Sequence, residues 1–106
     1  MGLLMRNVVS STGGFFLDDK GPVWSMKGLE QLLIYAERHG LVILGCDVIT
    51  LSGEYTYDNW FFQPCSSKPL LLCSAESIHG FLKYIEDYTE KNGDDFWVGV
   101  VIFDLQ

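Results

Sequence analysis

Hydrophobic residues along this chain follow two spacings. In "MKGLEQLLIYAERH", Leu29, Leu32, Leu33 and Ala36 recur at i, i+3, i+4 and i+7, one stripe of a helix. Ser25 stands where an N-cap accepts from the first free amides. Arg38 and His39 suit the negative end of the helix dipole, and Gly40 can take the left-handed position that ends it. Gly28 weakens the first turn. The segment "AESIHGFLKYIEDYTEK" carries a second stripe of Ile78, Phe81, Leu82, Ile85 and Tyr88. Ser74 is expected to cap this helix, Glu76 to complement its dipole, and Asn92-Gly93 to stop it. Strand spacing fills the remainder. Leu41–Leu44 continues through Val48, Ile49 and Leu51, turns at Ser52-Gly53-Glu54, and returns as "YTYDNWFFQ". The segment "PCSSKP" then reads as a loop. Gly45-Cys46-Asp47 interrupts the first of these strands and predicts a bulge or a close backbone approach. "FWVGVVIFDL", Phe96 to Leu105, is apolar on both faces and so belongs at the centre of a sheet.

Residues 1–23 mix short apolar pairs with turn formers and break at Gly21-Pro22; they predict one short edge strand or an ordered arm over the core. The expected fold is α+β, with two amphipathic helices packed on one face of a small, mainly antiparallel sheet. Length changes this picture little: 106 residues make a single domain, 1–106.

Charge adds more. Residues 54–106 hold nine acids against three bases, whereas residues 1–53 are nearly balanced. No basic stripe exists, which argues against direct binding of nucleic acid or an anionic membrane, because phosphate affinity needs Lys and Arg. An acidic surface favours basic protein partners instead, or serves solubility alone. Glu86, Asp87, Glu90, Asp94 and Asp95 crowd into ten residues with Lys91 as the one base, making them the leading candidates for a binding surface, with Glu54 and Asp58 beside them. Three cysteines without CxxC spacing, no secretory leader pattern and no long apolar run lead to the expectation of a soluble, cytoplasmic protein.

Candidate chemistry is sparse. Cys46 with Asp47 could form a nucleophile and its orienting acid, with His79 or His39 as base, but no local signature surrounds them. Cysteine and histidine spacings make no zinc pair, and no phosphate-binding glycine motif is present, so no metal or cofactor is expected. Asp58, Asn59 and Trp60 read as a corner held by polar side chains and anchored by the indole, and Asp47 as an acceptor for amides freed by a bulge.

Taken together, "LVILGCDVITLSGEYTYDNWFF" and "ESIHGFLKYIEDY" resemble the bacterial immunity protein 40 family. Gly45, Asp47 and Val48 match an "ILGGDVY"-like strand, with Cys46 where that pattern has a second glycine. Asp58, Asn59 and Trp60 match a "DNW"-aromatic segment, and Glu76, Ser77, Tyr84, Ile85 and Tyr88 a following helix. The resemblance implies a protein that binds and neutralises a cognate toxin domain, such as a basic nuclease, without catalysis. Glu54, Asp58, Glu86, Asp87, Glu90, Asp94 and Asp95 would then meet the toxin, and Gly45, Asp47, Asn59 and Trp60 would be structural. A small thiol-dependent enzyme built on Cys46, and a structural subunit of a complex, stand as the alternatives.

Overall fold

The fold is described by a computed structural model over residues 3–17, 20–64 and 67–103, with side chains from Arg6 onward. In chain order it contains α1 (Leu3–Thr12), β1 (Phe15–Leu17), β2 (Gly21–Ser25), α2 (Met26–His39), β3 (Val42–Thr50), β4 (Tyr55–Phe61), α3 (Leu70–Asn92) and β5 (Phe96–Phe103). The strands form one sheet in the order β1-β2-β5-β3-β4, and every pairing is antiparallel. The α+β expectation holds, and β5 occupies the centre that its two apolar faces required. Expected strand residues Asp104 and Leu105 lie outside the described residues.

α2 forms where its stripe and caps place it. Ser25 Oγ accepts from the Gly28 amide at 3.1 Å, and Gly40 takes φ 63° while donating to the carbonyls of Ala36 and Glu37. The first 23 residues depart from expectation, because a third helix precedes two strands there. "LLMRNVVSST" has β-branched and hydroxyl residues that favour helix weakly. Tertiary burial decides the matter: Val8 and Val9 enter the core, and Thr12 Oγ1 accepts from Trp24 Nε1 at 2.7 Å.

The core is a cluster on the helix side of the sheet. Trp24, Cys46, Val48, Val98 and Val100 meet Leu29, Leu32 and Ala36 of α2 and Phe81 and Ile85 of α3. On the opposite face, Phe15 packs edge-on to Trp97 at 4.8 Å beside buried Val23 and Ile49. The rest of that face, with Phe61, Val101 and Phe103, is exposed.

β3 carries two irregularities. Against β5 the register slips between Ile43 and Gly45, and against β4 it slips between Asp47 and Ile49. Burial therefore runs in pairs, Val42-Ile43, Gly45-Cys46 and Val48-Ile49, rather than alternating. At Gly45 β4 comes close: a Cβ there would lie 2.9 Å from the Trp60 carbonyl oxygen.

Ser74 is not the cap of α3. The helix starts at Leu70, directly after Pro69, and both Ser74 and Ser77 are buried inside it. The reason lies in β3. β4 ends opposite Gly45, so the backbone groups at the start of β3 have no strand on that side. Ser74 Oγ donates to the Leu41 carbonyl at 2.7 Å, and Ser77 Oγ accepts from the Ile43 amide at 3.0 Å. Ser77→Ala would leave that buried amide without a partner and is expected to cost about 1–3 kcal/mol in urea unfolding. A change under about 0.5 kcal/mol would mean that water or a shifted backbone replaces the hydroxyl.

Candidate functional site

Where α3 crosses β4, the side chains named by the sequence patterns converge. The Trp60 indole lies 5.9 Å from the Phe81 ring, and a Cβ on Gly80 would stand 3.0 Å from its edge, so the helix passes close above it. Asp58 accepts from the Tyr88 hydroxyl at 2.8 Å, and Tyr88 packs edge-on to Phe96 at 5.1 Å. Beneath them Cys46 is only 4% exposed. Burial, reinforced by the Asp47 charge, pushes its thiol up to about 12. Tyr84 is likewise pushed up to about 12, by burial first and then by the nearby Cys46 and Asp58. Tyr88 is raised by burial and by its bond to Asp58.

This arrangement does not assemble a thiol nucleophile. A thiol raised this far stays protonated at neutral pH and is a poor nucleophile. Cys46 and Asp47 are consecutive strand residues and point to opposite faces, the thiol into the core and the carboxylate away from it. His79 is exposed on α3, and His39 stacks on Tyr35 at 4.1 Å. Cys65 lies outside the described residues, among which no cluster of three metal-ligating side chains occurs.

The acidic candidates divide into groups. Pairing of Phe96 with Thr50, and donation from the Thr50 amide to the Glu54 carbonyl at 2.8 Å, bring the Asp94-Asp95 loop and the Glu54 turn to one end of the sheet. Asp58 is drawn toward that end of α3 by Tyr88. Glu90 is exposed in the last turns of α3, whose single basic residue there is Lys91. Asp87 lies 3.9 Å from Lys83, and both are exposed. Glu86 instead borders α2, in a groove between the two helices. Carboxylates near a helix C-terminus oppose its dipole, each costing about 0.3–1 kcal/mol at low salt. Helix stability therefore gives no reason for this acidic end.

Asp47 and Asn59 face each other across β3 and β4 on the open face, in a shallow depression of about 330 Å³ with Phe61 and Val101. Among the described residues no side-chain hydrogen bond ties either of them to the backbone. The amide-holding role expected for Asp47 is not seen, because β3 is paired on both sides at this position. Two features escaped sequence reasoning. One is the helix groove. The other is Tyr57, 86% exposed with φ 68° inside β4, where three residues of β4, Thr56 to Asp58, stand against Val48 alone in β3. The Asp-Asn pair inside an apparent strand was the available signal for that irregularity.

The geometry thus defines a small α+β protein whose distinctive surfaces are acidic or apolar. A family model for immunity protein 40 matches residues 16–102, most of the chain, and the protein belongs to that family. No curated protein and no solved structure matches it. Among the described residues no helix is long and apolar enough to cross a membrane.

Proposed function

We propose that the chain binds a cognate toxin domain and neutralises it without catalysis. Family membership over residues 16–102 carries this reading. The acidic end formed by Glu54, Asp58, Glu90, Asp94 and Asp95, with Asp87 and Glu86 further along α3, suits a basic partner, whose approach such a field accelerates. Its opposition to the helix dipole supports a binding role, since acids kept there serve association at some cost to the helix. The burial of Cys46, which raises its thiol pKa, favours this reading over the thiol alternative.

The test is growth of cells expressing the toxin domain encoded beside this gene, with and without the protein. Restored growth is the expected outcome; continued killing in the presence of soluble protein would defeat the proposal. Glu90→Gln, Asp94→Asn and Asp95→Asn together are expected to slow association roughly tenfold at low salt and flatten its salt dependence. The same variant is expected to unfold at a slightly higher temperature, by relief of the dipole. Unchanged association rates would remove this end of the molecule from the interface.

A further inference from the structure

We infer that the groove between α2 and α3 is a docking site for a basic amphipathic helix, an inference that rests on the toxin-neutralising reading for the identity of the partner carrying it. The groove encloses about 390 Å³. Leu29, Phe81 and Ile85 form its buried floor, and Leu33, Ile34 and Leu82 its walls. Ile34 and Leu82 remain 43% and 40% exposed, so apolar surface on both helices is left facing solvent along a shared channel. The lining extends on α2 from Met26 to Glu37 and on α3 from Ile78 to Thr89. At 1.5 Å per residue this is about 17 Å, the length of three helical turns.

Charge selects the occupant. Glu30, Glu37 and Glu86 stand on the groove, and no Lys, Arg or His is among its lining residues. Exposed acids on a helix are ordinarily a solvated surface, but these three border an open apolar channel from both sides. A segment that fills the channel must bring apolar side chains on one stripe and cations beside them. A helix with apolar residues at i, i+4 and i+7 flanked by Lys or Arg meets both demands over three turns. An acidic helix would meet like charges on both walls, which disfavours it.

Two arms test this on the full chain. The first titrates a peptide of about 14 residues, built of leucine and lysine with its leucines on one helical stripe, and follows side-chain methyl NMR signals. Shifts confined to Leu29, Leu33, Ile34, Leu82 and Ile85 are expected. Affinity is expected to fall at least tenfold in I34R/L82R and to lose most of its salt dependence in E30Q/E37Q/E86Q. Both positions are partly exposed, and a retained thermal midpoint checks that the fold is intact. Shifts mapping elsewhere, equal binding of the matching leucine–glutamate peptide, or a groove closed by a second copy of the chain would overturn the inference. The second arm repeats toxin neutralisation with I34R/L82R. Protection by the wild type and none by the variant supports the groove. Equal protection by both overturns the groove and leaves the toxin-neutralising reading standing. Failure of the wild type to protect overturns that reading, and the peptide titration then decides the groove alone.

Discussion

Phe81→Ala is expected to remove about 3–5 kcal/mol of stability. Phe81 is fully buried where α3 meets the sheet, its ring beside the Trp60 indole. Truncation removes the transfer energy of the ring and leaves a cavity, and Gly80 next to it has no side chain with which to fill the space. A domain of this size has a total of about 5–15 kcal/mol, so the variant loses at least about a fifth of it. Urea unfolding followed by tryptophan fluorescence would measure the loss, with Trp60 reporting locally. Leu82→Ala, one residue on, removes a half-exposed wall residue and is expected to cost under about 1.5 kcal/mol. Equal losses at the two positions would show that α3 does not turn Phe81 inward and Leu82 toward solvent.

Alkaline pH provides the second large effect. Cys46 has its pKa raised from 9.0 to about 12, and Tyr84 from 10.0 to about 12. Both groups are neutral when protonated, so the fold favours the protonated forms. Their contribution is complete below pH 9 and is lost as pH rises through 10 toward 12. For Cys46 alone, three pH units correspond to as much as about 4 kcal/mol. The urea midpoint of the wild type is therefore expected to fall steeply above pH 9. Cys46→Ala, weaker at neutral pH through its small cavity, is expected to have a flatter profile until Tyr84 begins to ionise. Alkylation of Cys46 should be slow and follow opening of the fold. A wild-type midpoint that stays level from pH 8 to 11 would contradict the burial of both groups.

How much of this was legible in the sequence depended on where local and tertiary demands agreed. From Ser25 to Gly40, cap, stripe and stop all point to one helix, and the structure has it. The doubly apolar "FWVGVVIF" had to be central, and β5 is. In α1 the local preferences of Val8, Val9, Ser10 and Ser11 oppose helix, and the burial of Val8 and Val9 with the Thr12–Trp24 hydrogen bond reveals why it forms. At Ser74 a residue suited to capping was already committed to a carbonyl 33 positions away, which no local pattern discloses. The acidic run was visible in the sequence; its division between the sheet end and the helix groove was not. That division depends on how α3 is rotated, and the rotation is set by Ser74, Ser77 and Phe81 together.

The irregularity around Tyr57 also bears on how the sheet ends. β4 and β1 are the two edges, and an edge with regularly spaced free amides and carbonyls can recruit another chain. β1 offers three residues. β4 is broken midway by a tyrosine at φ 68°, which turns its backbone out of the plane that a docking strand would need. Neither edge presents a long, flat template, so the protein is guarded against adding strands from other copies at its edges even at high concentration.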